Sequence, residues 1–181
     1  GSWASYVLHM LGANVKGYSL KPDSESNLFD TLNLSNLIYS DFQDIRDKEN
    51  LMRSIQEFNP DIIFHMAAQP LVRDSYNDPI YTYEVNVIGT ATLLEVSRSI
   101  SNLGCIINIT TDKCYQNKEW AWSYREDDEL GGHDPYSSSK ACAELVSKSY
   151  YSSFIKDKGI GLATVRAGNV IGGGDWSKDR L

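Results

Sequence analysis

Apolar residues along this chain occur in two patterns: short continuous runs, and runs that repeat every three to four residues. The continuous runs predict five buried strands, at 14–20, 37–42, 61–65, 103–109 and 160–165. The helical spacing predicts four main helices, at 2–11, 48–58, 78–100 and 136–157. Strands that alternate with helices at this spacing indicate an α/β fold with a parallel, doubly wound sheet of the Rossmann type.

The two ends of the chain depart from a complete fold of this type. Such a sheet begins with a strand and a glycine-rich turn that leads into the first helix, whereas this chain starts with Gly1 directly at that helix. In the strand order 3-2-1-4-5-6, the absent strand would lie in the middle of the sheet. We therefore expect a fragment: a dinucleotide-binding domain at 1–166 without its first strand, and at 167–181 the start of a truncated substrate-binding region.

Composition and charge narrow the functional classes. The net charge of −7 makes binding to a nucleic-acid backbone unfavourable, although local amides and cations still permit an anionic small substrate. No apolar run approaches the length that crosses a bilayer. Cys105, Cys114 and Cys142 lack the spacing of metal ligands, which favours reduced thiols in a cytoplasmic protein without a metal site.

The first cluster of candidate catalytic residues follows the strand at 103–109. Thr111, Asp112 and Lys113 come directly after this strand, at the carboxyl end where open α/β sheets bind ligands. A hydroxyl, an acid and an amine in one cleft are suited to a reaction that moves several protons.

The second cluster opens the helix at 136–157. Tyr136 and Lys140 lie four residues apart and so share one helical face, where an ammonium group favours the phenolate and makes a base for a sugar hydroxyl. The alternative is an exposed helix pair without chemistry. The functional interpretation is stronger, because Tyr136 is the only tyrosine followed by lysine at this spacing and it comes after the Thr111 cluster.

Five runs carry a resemblance to the extended short-chain dehydrogenase/reductase family, and within it to the nucleotide-sugar 4,6-dehydratases. They are His-Met-Ala-Ala-Gln-Pro-Leu-Val at 65–72, Thr-Asp-Lys-Cys-Tyr at 111–115, Tyr-Arg-Glu-Asp-Asp at 124–128, Gly-Gly-His-Asp-Pro-Tyr-Ser-Ser-Ser-Lys at 131–140, and Arg-Ala-Gly-Asn-Val-Ile-Gly-Gly-Gly-Asp-Trp at 166–176. The second and fifth runs are typical of family members that act on CDP-glucose.

The resemblance implies a lyase reaction with no net redox change. Tyr136, assisted by Lys140 and Thr111, would take the proton of the sugar C4 hydroxyl while NAD accepts the C4 hydride. Asp112 would protonate the departing C6 hydroxyl, and Lys113 would act as the C5 base. Related dTDP-glucose enzymes have glutamate at the position of Lys113. Since a lysine base must be neutral, its alternative role is to stabilise the enolate-like intermediate electrostatically.

The resemblance also implies positions for the cofactor and the substrate. The residues expected at NAD, besides Tyr136 and Lys140, are Gly1, Ser19, Asp44, Ile45, Ala67, Ala68 and Asn86. Gln69 and Asn169 match positions on the substrate side. The strand at 14–20 ends in Tyr-Ser-Leu rather than in an acid for the ribose hydroxyls, so NADP stays open at this point. The partner is expected to be a nucleotide sugar, and the intact enzyme a homodimer or homotetramer.

Two other functions compete with dehydration. A nucleotide-sugar 4-epimerase shares the Tyr-x-x-x-Lys pair but does not need an acid and a base after Thr111, so Asp112 and Lys113 favour dehydration. A non-catalytic dinucleotide-binding protein would explain the missing glycine turn. It would not explain why both clusters of reactive residues are present.

Overall fold

The computed structural model describes residues 1–176, and it contains five strands and seven α-helices within that range. The strands are β1 Lys16–Ser19, β2 Tyr39–Phe42, β3 Ile62–His65, β4 Cys105–Thr111 and β5 Gly161–Ala167. The helices are α1 Ser2–Met10, α2 Leu28–Thr31, α3 Lys48–Phe58, α4 Val72–Asn77, α5 Pro79–Tyr83, α6 Gly89–Ser97 and α7 Pro135–Tyr150. Shorter 3₁₀ or π-helical turns lie at Leu34–Asn36, Glu84–Ile88, Asp112–Cys114, Tyr151–Ile155 and Lys156–Lys158.

All strand pairs are parallel, and the sheet is divided into two parts. β1 pairs with β2, with Lys16 opposite Tyr39, while β4 lies between β3 and β5. Within residues 1–176, no strand joins β1 to β3. A groove of about 800 Å³ lies between them, lined by α1, β1, β3 and α3. Two β3 side chains, Ile62 and Phe64, are 52% and 42% exposed. The predicted parallel sheet is therefore confirmed, with a gap between β1 and β3.

The hydrophobic core lies where α3 and α6 pack against the sheet. Leu51 from α3 is 2% exposed, Leu94 from α6 is 1% exposed, and Ile106 from β4 is fully buried. Burying each such side chain contributes roughly 1.5–3 kcal/mol relative to leaving it in water. This packing fixes β4, and with it the position of the strand end that carries Thr111.

Local capping explains why α3 has the predicted bounds. The Asp47 side chain accepts a hydrogen bond from the Asn50 amide at 3.0 Å and so begins the helix. Asn59 ends the helix with φ 50°, a left-handed conformation that asparagine tolerates. Pro60 follows and cannot continue the helix.

The structure departs from the prediction in the long helix expected at 78–100. This segment is helical from Pro79 to Ser97, but a π-helical turn at Glu84–Ile88 interrupts its α-helical bonding. Close packing accompanies the turn: a Cβ atom on Gly89 would lie 2.8 Å from the Ile45 side chain. The apolar spacing carries no signal for one extra residue per turn, so the prediction missed it.

Two short helices were also not predicted. α2 lies in the polar segment expected to be a loop, where the Asn27 side chain accepts a hydrogen bond from the Asp30 amide at 2.9 Å. α4 has only six residues, too few to show a helical period. The predicted start of the substrate region at 167–181 includes 177–181, which lies outside the described residues.

Candidate active site

The Thr111 cluster lies at the carboxyl end of β4, the central strand of its sheet. The Thr111 hydroxyl donates a hydrogen bond to Asp112 Oδ1 at 3.2 Å and accepts one from the Lys113 amide at 3.4 Å. These bonds bend the chain into the Asp112–Cys114 turn. Thr111 is 6% exposed, whereas Asp112 and Lys113 are exposed. The turn thus presents an acid and an amine at the edge of the sheet where ligands bind in this fold.

The Tyr136 cluster begins α7. The Asp134 side chain accepts hydrogen bonds from the amide and the hydroxyl of Ser137, at 2.9 and 2.6 Å, and Pro135 occupies the first turn. The amide of Tyr136 donates to Ser75 Oγ at 3.2 Å, which joins α7 to α4. Tyr136 is partly buried.

Lys140 connects α7 to β4. Its side chain is buried, and Nζ donates to the carbonyl of Ile109 at 3.2 Å, two residues before Thr111. Burial lowers the pKa of Lys140 to about 8, and the nearby Glu144 carboxylate partly opposes this shift. At pH 7 the amine is therefore still largely protonated. It can supply the positive charge that favours a phenolate at Tyr136.

The two predicted clusters meet in the fold. α7 packs against β4 and against the Asp112–Cys114 turn, so the Tyr136 helix and the Asp112–Lys113 pair border the same edge of the sheet. The chain leaving β5 also reaches this edge: a Cβ atom on Gly168 would lie 3.5 Å from Asp112 Oδ2. Asn169 follows Gly168 and is exposed. Convergence of the Thr111 and Tyr136 hydroxyls near the nicotinamide site stays a prediction.

A second cavity, of about 270 Å³, lies beside the ends of β1 and β3. Five of the residues predicted to contact the cofactor line it: Ser19, Asp44, Ile45, Ala67 and Ala68. Gly1 stands at the start of α1 and lines the adjoining groove between the two sheet parts. The smaller cavity combines apolar walls with a few polar groups, which suits the adenosine end of a dinucleotide. The residues present therefore fit this cofactor.

Several residues of the smaller cavity were not found from the sequence. Tyr18 and Tyr81 line it, and the Tyr18 hydroxyl donates to the Asp44 carbonyl at 3.1 Å. Arg46 forms an ion pair with Asp44 at 2.8 Å and lies over the Tyr81 ring at 4.9 Å. The Arg46 guanidinium lowers the pKa of the Asp44 carboxyl. The Tyr18–Asp44 and Arg46–Tyr81 contacts join residues that are far apart in the chain, and no local motif in the sequence marks them.

Asn86 braces the chain that leaves β3. It is 1% exposed, and its side chain accepts a hydrogen bond from the Gln69 amide at 2.8 Å. It also donates to the Gln69 carbonyl at 3.1 Å and to Ser139 Oγ at 2.9 Å. Asn86 thus ties the Ala67–Ala68 wall of the cofactor cavity to α7, next to Lys140. Direct contact between Asn86 and the cofactor stays a prediction.

The Gln69 side chain is directed into the protein. Its amide nitrogen donates to the Leu71 carbonyl at 3.1 Å and to Thr82 Oγ1 at 2.9 Å, while its oxygen accepts from the Leu71 amide at 2.6 Å. These bonds shape the loop between β3 and α4. The predicted substrate contact of Gln69 stays untested, and so does that of Asn169.

His65 ends β3 beneath the cavity and extends the Asn86 network. Its Nε2 lies 2.9 Å from Thr90 Oγ1, and the Thr90 hydroxyl donates to the Asn86 carbonyl at 2.7 Å. Burial lowers the pKa of His65 to about 3, and the Lys140 charge acts in the same direction. His65 is therefore neutral at physiological pH and serves as a hydrogen-bonding support.

Three other features of residues 1–176 bear on function. Residues 1–176 contain no group of three or more His, Cys, Asp or Glu side chains placed to hold a metal ion. No helix in this range has the length and apolar content to cross a membrane. The three cysteines are free thiols, and burial raises the pKa of Cys114 to about 11. A thiol in that state is protonated at neutral pH and is a poor nucleophile.

A split parallel sheet, a cleft at the carboxyl ends of its strands and a Tyr-x-x-x-Lys helix beside that cleft define a dinucleotide-binding protein of the short-chain dehydrogenase/reductase type. Residues 1–162 match the family model described as GDP-mannose 4,6 dehydratase. The chain belongs to that family of extended short-chain dehydrogenase/reductases, as its sequence runs predicted.

Individual relatives agree with this assignment. CDP-glucose 4,6-dehydratase of Salmonella typhimurium is 55% identical over 100% of this chain and 52% of its own length. The solved structure of UDP-glucose 4-epimerase from Thermotoga maritima has a TM-score of 0.79 at 23% identity, over 92% of this chain and 51% of that one. A Thermus thermophilus UDP-glucose 4-epimerase in complex with NAD gives 0.76 at 25% identity, with 92% and 50% covered. The chain spans about half the length of these relatives.

Proposed function

We propose that this chain is the dinucleotide-binding part of a nucleotide-sugar 4,6-dehydratase that uses NAD and converts CDP-glucose to CDP-4-keto-6-deoxyglucose and water. The observation that carries the proposal is the turn directly after Thr111. It presents Asp112 and Lys113 and packs against the helix of Tyr136 and Lys140. Identity of 55% to a CDP-glucose 4,6-dehydratase over the whole chain supports the substrate. The NAD complex of the Thermus relative supports the cofactor.

In the first stage, Tyr136 removes the proton of the C4 hydroxyl. The protonated Lys140 lowers the free energy of the phenolate, and Thr111 hydrogen-bonds the reacting oxygen. When bound, NAD supplies a hydride acceptor for C4 and later a hydride donor for C6. Lys140 keeps its charge at pH 7 because its pKa, about 8, lies above that pH.

In the second stage, the C4 ketone acidifies the C5 hydrogen and water is eliminated across C5 and C6. Asp112 gives its proton to the C6 hydroxyl, which leaves as water. Lys113 takes the C5 proton, or it stays protonated and stabilises the enolate-like charge while water takes that proton. The water released therefore consists of the C6 hydroxyl and the Asp112 proton, and a proton returns to C5 when the hydride reaches C6. The hydride moved from C4 to C6 leaves no net oxidation.

Incubation of the full-length polypeptide that contains this segment with NAD and CDP-glucose tests the proposal. We expect a product lighter than the substrate by one water and carrying a ketone. UDP-glucose in place of CDP-glucose should react much more slowly. The solved UDP-glucose 4-epimerases share the fold, so epimerisation is the second candidate function. A C4 epimer of unchanged mass would establish it and contradict dehydration.

A further inference from the structure

A partly buried ion pair behind the active site joins the two catalytic clusters. Glu144 lies one helical turn after Lys140 on α7, and its side chain is 4% exposed. It accepts hydrogen bonds from the hydroxyls of Thr110 and Thr164. Arg166, near the end of β5, donates to Glu144 Oε2 at 2.9 Å. The pair therefore connects α7, β4 and β5 just behind Thr111.

The other face of Arg166 holds a loop. Its Nη1 donates to the Glu126 carbonyl at 2.8 Å, and its guanidinium lies 4.8 Å from the centre of the Tyr115 ring. Tyr115 follows the Asp112–Cys114 turn and stacks on Tyr124, with ring centres 5.0 Å apart. Arg166 thus contacts both the beginning and the interior of loop 115–130.

Loop 115–130 is closed at its base by backbone bonds. The Gly131 amide donates to the Cys114 carbonyl at 2.8 Å, and the Gln116 amide donates to the Glu129 carbonyl at 2.8 Å. These bonds close the loop but do not anchor it to the sheet. Arg166 supplies an anchor through Tyr115 and Glu126, and Glu144 fixes the direction of Arg166. Only Cys114 separates Tyr115 from Lys113 in the chain.

We propose that Arg166 is a positioning residue: held by Glu144, it keeps loop 115–130 and the Asp112–Lys113 turn in the arrangement that the elimination step requires. This role rests on the proposed dehydratase function. The role predicts an effect on one reaction step only. Proton removal by Tyr136 depends on α7, whereas elimination depends on the Asp112–Lys113 turn, which loop 115–130 continues.

Arg166→Lys is the most direct test. Lysine keeps the charge that Glu144 requires but lacks the planar fork that reaches Glu126 and stacks on Tyr115. Arg98→Lys is a matched control, because Arg98 also pairs with a carboxylate, Glu95 at 2.6 Å. Arg98 also lies over an aromatic ring, that of Phe154 at 4.1 Å, and it makes none of the contacts that hold loop 115–130.

Trypsin provides a readout that does not depend on activity. Lys118 and Arg125 are exposed cleavage sites in loop 115–130. In the full-length protein, Arg166→Lys should increase the rate of cleavage after Arg125 about tenfold, since the loop opens more often when its anchor bonds are lost. Arg98→Lys should leave the rate unchanged. Equal cleavage in wild type and Arg166→Lys would overturn the anchoring role.

Single-turnover kinetics with CDP-glucose tests the positioning role. Arg166→Lys should slow elimination roughly 10- to 100-fold, the range expected when catalytic groups are displaced by about 1 Å, while C4 oxidation stays near wild type. Two results would overturn the positioning role. One is a loop that opens more often in Arg166→Lys without slower elimination, and the other is an equal slowing of C4 oxidation and elimination. If wild type does not dehydrate CDP-glucose, the proposed function fails and the trypsin comparison still decides the anchor. If Arg166→Lys does not fold, Tyr115→Leu replaces it, because the Glu144–Arg166 pair then stays intact.

Discussion

Replacing Asn86 with alanine removes the central brace between the cofactor cavity and α7. The Asn86 side chain makes three hydrogen bonds, two with the backbone of Gln69 and one with Ser139. Ser139 also donates to the Tyr136 carbonyl at 2.7 Å, so it keeps a partner. The amide and the carbonyl of Gln69 lose theirs, in a residue that is 8% exposed.

The cost can be worked out from these contacts. A buried polar group left without a partner costs roughly 1–3 kcal/mol, so the two Gln69 groups together cost about 2–6 kcal/mol. Asn108 is a matched control: it is 2% exposed and makes one hydrogen bond, to Ser147 at 2.9 Å. Its replacement by alanine removes the same atoms and leaves one buried group, the Ser147 hydroxyl, without this partner, which costs about 1–3 kcal/mol. Asn86→Ala should therefore destabilise the protein by about 1–3 kcal/mol more than Asn108→Ala, because it leaves two buried groups unpaired instead of one.

Urea unfolding of the full-length protein measures this difference. Both variants should unfold with the wild-type slope, and Asn86→Ala should have a clearly lower midpoint than Asn108→Ala. Hydrogen exchange should locate the effect in the loop after β3 and at the start of α7. Free energies of unfolding that agree within about 0.5 kcal/mol for the two variants would refute the role of Asn86 as a brace.

Three further predictions concern catalysis, pH dependence and the isolated segment. Tyr136→Phe should abolish nicotinamide reduction in a single turnover, whereas Asp112→Asn should permit it and impair elimination; equal loss in both variants contradicts these roles. Burial depresses the pKa of Lys140 from 10.5 to about 8. Between these two pH values the folded state binds fewer protons than the unfolded state, so the free energy of unfolding should rise with pH. Lys140→Met should remove that rise. If the variant keeps the wild-type dependence of stability on pH, Lys140 is not its cause. Residues 1–181 alone should neither unfold cooperatively nor bind NAD with micromolar affinity, because unpaired strand edges face the groove; calorimetry showing both would overturn this.

The sequence predicted those parts of the fold that have local causes. The bounds of α3 follow from its caps at Asp47 and Asn59, and β4 follows from a continuous apolar run. The split sheet was also predictable, because an α/β pattern without a leading strand leaves a gap between β1 and β3. The π-helical turn around Asn86 was missed, since it changes the register of the helix without changing which residues are apolar.

The candidate site also contains some features with local causes and others that depend on tertiary packing. Thr111, Asp112 and Lys113 are adjacent in the chain, and Tyr136 and Lys140 share a helical face, so both clusters were visible in the sequence. Glu144 and Arg166 are 22 residues apart, and only the packing of α7 on β5 brings them together. Their pairing depends on tertiary contacts, which the spacing of apolar residues along the chain does not indicate.

The path of the hydride distinguishes dehydration from epimerisation. CDP-glucose labelled with deuterium at C4 would be incubated with NAD and the full-length polypeptide, and the product analysed by NMR. Dehydration should give a 4-keto-6-deoxy sugar with the deuterium at C6, because the hydride taken from C4 returns within the same active site. Deuterium that stays at C4 of an intact hexose, as in an epimerase, would contradict it.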